Sequence, residues 1–172
     1  MRNWTPRGAA ITFALLTLSS CANPTEPDQV TASTPTSASP AAVSTAAAIV
    51  DLTNTERGRA GLSSFRVDAR LMEAARLHAG QMADLSRLDH VLPGAQYPGP
   101  SDRLAAAGYP WQSYAENIAM GQPTAAAVVA AWMQSTGHRA NILNSNLTEL
   151  GAATSTDASG RPFYVQVFGR PR

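Results

Sequence analysis

Few side chains in this 172-residue chain are equipped for chemistry: one cysteine, Cys21, and three histidines, His78, His90 and His138. A single thiol can neither close an intramolecular disulfide nor build a zinc finger. Ser135, His138 and Glu116 supply the residue types of a nucleophile, a base and an orienting acid, which together would make a hydrolase triad. A serine and a histidine three apart around Gly137 are poorly constrained, however, and no G-x-S-x-G elbow occurs. Helix capping accounts for Ser135 more simply. His78 falls among Leu71, Ala75 and Met82 on an apolar helix face, where a histidine is usually a satisfied core residue. Taken alone, His90 reads as an exposed loop histidine after a helix. His138 reads as a helix-start residue whose ring bonds a backbone group.

The elements that must position these residues follow from periodicity and punctuation. Residues 46 to 60 predict a first helix, with Val50, Asn54 and Arg57 on one face and Gly61 as its stop. Asp68 is a suitable N-cap for a second helix, whose inward face is Leu71, Ala74, Ala75, His78, Met82 and Leu85. A Pro- and Gly-rich loop runs from His90 to Pro100. A short helix is expected over Asp102 to Ala107 with Ser101 as cap, then a strand around Tyr114 to Met120. Pro123 opens a helix with Val128, Val129 and Trp132 on its apolar side. At the C-terminal end Phe163, Val165 and Val167 alternate with Tyr164, Gln166 and Phe168, and Leu150 to Ser155 pairs with that run across Asp157 to Gly160 as a hairpin. Helices first and strands last imply an α+β architecture, an antiparallel sheet covered by helices.

The N-terminal part reads differently. Arg2 and Arg7 precede an apolar run from Ala9 to Leu18, too short to cross a bilayer, so residues 1 to 20 are read as an export signal. Leu18-Ser19-Ser20-Cys21 resembles the lipobox of bacterial lipoproteins, which makes Cys21 the expected lipidation site and the chain a membrane-anchored lipoprotein of the cell envelope. Residues 21 to 45 are that cysteine and a Pro/Ser/Thr/Ala-rich tether without enough apolar surface to fold. Residues 46 to 172 suit one domain. Every basic residue is Arg, 13 in all against 12 acids. No stripe of them forms, so nucleic acid is not an expected partner.

Several short segments stand in one order: Asn54-Thr-Glu-Arg57 with Gly61-Leu62, the Ala75 to Met82 helix, Leu88-Asp89-His90, Ala115-Glu116-Asn117-Ile118, Trp132 to Ser135 with Gly137-His138-Arg139, Asn141-Ile142-Leu143, and Val165 to Phe168. Together they resemble the CAP superfamily of cysteine-rich secretory, antigen 5 and pathogenesis-related proteins (SCP domain), in its compact bacterial form. The resemblance implies a three-layer α/β/α sandwich with an open cleft, where two histidines and two acids often converge and can hold a divalent cation. The histidines then fall on His90 and His138 and the first acid on Glu116. The second acid falls on Ser135, so the set is incomplete. These residues imply a weak site for zinc or another divalent cation, with no cofactor required.

Two functions follow as expectations. The first is a non-enzymatic binding module whose His90, Glu116, His138 and Ser135 cleft takes a small apolar ligand such as a lipid, an envelope component or a partner protein. The alternative is a metal-assisted hydrolase, peptidase-like, using the same cleft.

Overall fold

The computed structural model describes residues 39–172, so the expected signal peptide, Cys21 and the tether up to residue 38 lie outside the described residues. Nine elements follow in order: α1 (Pro40–Arg59), β1 (Arg66–Val67), α2 (Ala69–Asp84), α3 (Pro100–Ala106), β2 (Trp111–Met120), α4 (Ala125–Gln134), α5 (Thr136–Ile142), β3 (Glu149–Thr156) and β4 (Pro162–Pro171). Helix α1 starts earlier than residue 46. Ser39 caps it by accepting from the Ala42 N–H, Pro40 supplies a preset φ in the first turn, and the alanines that follow are strong helix formers.

The strands form one sheet in the order β1-β3-β4-β2. The expected hairpin is β3 against β4, with Leu150 opposite Phe168 and Ser155 opposite Phe163. Strand β2 pairs antiparallel on the other side of β4. The sheet is mixed rather than wholly antiparallel, because the short strand β1 joins β3 in parallel.

Alternation along β4 sorts the core into two layers. Phe163, Val165 and Val167 pack with Leu71, Ala75 and Met82 of α2 and Leu104 of α3. Tyr164 and Phe168 pack with Ile49 and Val50 of α1, Val128 and Trp132 of α4, and Ile142 of α5. A strand covered by helices on both faces is buried along nearly its whole length, which makes this a three-layer α/β/α sandwich. Trp132 is 1% exposed and its indole N–H donates to the Ile118 carbonyl at 3.2 Å.

Three local expectations are corrected. Leu85 is exposed, because α2 ends at Asp84 and Leu85 is its C-cap beyond the packed face. The short helix begins at Pro100, with Gly99 as N-cap and the Asp102 carboxylate accepting the Gly99 N–H, rather than with Ser101 as cap. Thr124, not Pro123, sets the start of α4: its hydroxyl accepts from the Ala127 N–H at 3.1 Å.

Close approach decides where α2 sits. A Cβ on Gly151 would lie inside van der Waals contact of the Leu71 carbonyl and the Met72 N–H, so the bare backbone of β3 is what lets α2 pack directly on the sheet. The Asn54 and Arg57 segment proves structural. Asn54 exchanges hydrogen bonds with the Phe65 backbone, and the buried Arg57 guanidinium donates to the carbonyls of Ser63, Ile142 and Asn144.

Candidate functional site

Strand β2 lies at the sheet edge and carries the site on both of its faces. Glu116 and Ile118 share one face, toward α2 and α3, while Asn117 points the other way, toward α5. Asn117 Nδ2 donates to the His138 carbonyl at 3.2 Å and to Gln166 Oε1 at 3.1 Å, and its Oδ1 accepts from Asn141 Nδ2 at 2.9 Å. Gln166 in turn donates to the Thr53 hydroxyl at 2.5 Å. This buried chain of amides ties α1, β4, β2 and α5 together and fixes the backbone at His138, the structural role that an amide beside the strand suggests.

On the opposite face the Glu116 carboxylate is only 4% exposed and has three neighbours. His90 Nδ1 lies 2.8 Å from Oε1. The Arg103 guanidinium, 1% exposed, donates through Nη2 to Oε1 at 3.3 Å and to Oε2 at 3.2 Å. His78 Nε2 lies 3.5 Å from Oε1, just at the limit of a hydrogen bond, and the ring is fully buried. His90 is 49% exposed, so the site has a depth: His78 and Arg103 form the floor, Glu116 the wall, and His90 the mouth.

The electrostatics follow this gradient. Burial pushes the His78 pKa down from 6.5 to about 4, against the opposing pull of Glu116, so the ring is neutral near pH 7. The hydrogen bond to Glu116 raises His90 above its ordinary value, partly offset by burial. His138 is lowered by burial first and then by the charge of His90.

Of the four residues singled out from the sequence, the structure brings His90 and Glu116 into hydrogen-bond contact and ties His138 through its backbone carbonyl to Asn117, the next residue along β2. Ser135 precedes α5, but its side chain makes no capping bond; its carbonyl, rather than its hydroxyl, starts the helix by accepting the Arg139 N–H at 2.8 Å. Nucleophile, base and acid are therefore not assembled as a triad. His78 is corrected in one respect: it is a core residue, yet both ring nitrogens lack a hydrogen-bond partner. Arg103, central to this site, is not marked by any motif or periodicity in the sequence. The signal for it was an arginine beside Leu104 in a short apolar helix, a charge that must find buried acceptors.

The residues present do not fit a divalent cation. Both oxygens of Glu116 already accept from Arg103, and a permanently charged guanidinium beside the carboxylate offers donors where a metal needs lone pairs. Among the described residues no group of three His, Cys, Asp or Glu is arranged to hold a metal ion. A separate groove of about 810 Å³ lies between the start of α1, the outer side of α2 and the ends of β3 and β4, lined by Thr45, Arg76, Tyr97, Thr154 and Thr156 among others. Neither His90, Glu116 nor His138 lines it.

Residues 50–168 match the CAP cysteine-rich secretory protein family. The chain belongs to that family. The YkwD protein of Bacillus subtilis (strain 168) is 43% identical over 103 residues, covering 60% of this chain and 39% of that protein. The membrane protein YlbC of the same organism is 34% identical over 120 residues, 70% of this chain and 33% of that one. The crystal structure of an extracellular SCP-domain protein from Bacillus anthracis str. Ames superposes with a TM-score of 0.68 at 31% identity, over 75% of this chain and 41% of that one. This chain thus spans well under two thirds of these relatives. An outer surface protein of Borrelia burgdorferi shares the fold, with a TM-score of 0.65 at 20% identity, over 72% of this chain and 90% of that one.

Proposed function

We propose that this CAP-domain protein is an exported, lipid-anchored binding module whose cleft at the β2 edge takes a small apolar ligand. The observation that carries the reading is the setting of His90. Leu88 and Val91, close to it in the chain, expose apolar side chains, and the acid that bonds its ring is neutralised by Arg103. A loop that exposes apolar side chains and one oriented imidazole suits a ligand with an apolar body and a polar end. A serine-type triad would need a hydroxyl activated by a base that an acid orients, and Glu116 is bonded to His90 rather than to His138. Export and anchoring rest on the Ala9 to Leu18 run and the Leu18-Ser-Ser-Cys21 sequence, and the similar Bacillus anthracis protein is described as extracellular.

The test has two arms. Cys21→Ser in the native host should move the protein from the membrane to the soluble fraction; retention on the membrane refutes the anchor. A fluorescent long-chain fatty acid should bind the purified wild type, and Leu88→Asp with Val91→Asp should weaken it by about tenfold or more, about 1.4 kcal/mol. Equal binding by both refutes the cleft, and hydrolysis of ester or peptide substrates that His90→Ala abolishes refutes the binding-module reading.

A further inference from the structure

A buried carboxylate in a cleft of histidines needs a positive partner, which can be a bound divalent ion or a cation of the chain itself. Here the guanidinium of Arg103 lies against Glu116, almost wholly buried, and its acceptors are that carboxylate and three carbonyls of the loop that carries His90. Nη2 is shared among Glu116 Oε1, Glu116 Oε2 and the His90 carbonyl, the last at 2.9 Å. Nη1 donates to the carbonyls of Tyr97 at 3.2 Å and Pro98 at 3.1 Å. We infer that Arg103 is the resident cation of this cleft: it takes the place of a divalent ion against Glu116, holds the loop that carries His90, and so closes the site to metal.

Three features carry this. A metal at bonding distance from a carboxylate oxygen, roughly 2.0–2.2 Å, would stand beside a guanidinium already bound to both oxygens, two positive centres competing for one acid in a poorly solvated pocket. The Arg103 Nε–H, without a partner at the floor, is a further donor aimed where a cation would call for lone pairs, and the one lone pair that neutral His78 leaves free there lies beside that guanidinium rather than in a set of ligands. Arg103 also grips both ends of the loop, His90 at one and Tyr97 and Pro98 at the other. A spherical ion has no forked geometry with which to reach those separated carbonyls. Arg103 is thus a positioning residue, acting through His90 and Glu116, and this holds whether or not the cleft takes the apolar ligand proposed above.

Zinc titration by calorimetry on the untagged full chain in mild detergent, near pH 7.5, tests the inference and does not depend on that ligand. Wild type and Glu116→Gln should give the same isotherm; zinc bound by wild type and lost in Glu116→Gln overturns the proposal. Arg103→Met should bind zinc at least about tenfold tighter than wild type, and adding Glu116→Gln should abolish the gain. Arg103→Lys keeps the charge and should exclude zinc again. A folded Arg103→Met chain that gains no zinc, or a lysine variant that binds it as the methionine variant does, overturns the role of the charge. Circular dichroism establishes folding for each variant, and should Arg103→Met not fold, the comparison of wild type with Glu116→Gln decides alone.

Discussion

Replacing Trp132 by alanine should be among the most damaging single changes in the domain. The ring is 1% exposed and sits where α4 meets the sheet, in the layer with Ile49, Val128, Ile142, Tyr164 and Phe168. A tryptophan of this burial removes about 150–250 Å² from water, which at about 25 cal/mol per Å² corresponds to roughly 4–6 kcal/mol before the methyl retained by alanine is subtracted. The truncation also leaves a cavity and deprives the Ile118 carbonyl of the indole N–H. Measured tryptophan and phenylalanine truncations in cores cost about 3–5 kcal/mol, and about 4 kcal/mol is expected here. For a domain of this size that lowers the midpoint of thermal unfolding by roughly 15 °C. Urea unfolding followed by circular dichroism, with calorimetry for the midpoint, measures it. Trp132→Phe separates the two contributions, since it keeps most of the apolar area and loses the hydrogen bond, at a cost of about 1–2 kcal/mol. A loss below about 1 kcal/mol for the alanine variant would mean that the ring is not buried between α4 and the sheet, and the packing described for that layer would be wrong.

Two glycines give opposite expectations. Gly151→Ala drives a methyl into the α2 backbone, which cannot yield as a side chain can, so denaturant titration should show a loss of about 3 kcal/mol or more, whereas Gly58→Ala, on the open side of α1, should stabilise by about 0.5–1 kcal/mol. Comparable values for both would refute the close approach of α2 to β3. Acid should expose His78: its folded pKa of about 4 lies below its ordinary 6.5, so between those values the unfolded chain binds the extra proton. The His78 contribution to stability is full above about pH 6.5 and falls by roughly 3 kcal/mol as the pH drops to about 4. Stability against pH for wild type and His78→Leu checks this, and parallel curves over that window would show that the ring is not held neutral by burial.

The sequence carried the architecture well because local signals and global packing agree along most of the chain. The alternation of Phe163, Val165 and Val167 against Tyr164 and Phe168 already divides the core into the two layers that the helices cover, and the hairpin is marked by its turn residues. Asp68 as a cap and Trp132 as an anchor are similarly local facts, since capping and amphipathic spacing are written within a few residues. The ordered segments from Asn54 to Phe168 likewise specified the family, and with it the meeting of His90 and Glu116.

What only the tertiary structure decided is which partners surround that pair. Arg103 stands on a short helix and Glu116 on an edge strand, and nothing in the spacing between them shows that the guanidinium turns inward to neutralise the acid. His78 is on an apolar face as its spacing predicts, but that its ring faces Glu116 at 3.5 Å without a full hydrogen bond depends on how closely α2 lies on β3, which Gly151 permits. Ser135 shows the reverse: a residue type suited to capping whose hydroxyl takes no part in it. Periodicity reports which face of an element is buried. The charge balance of a buried site is set by contacts between elements far apart in the chain, and those distances exist only once the layers have packed.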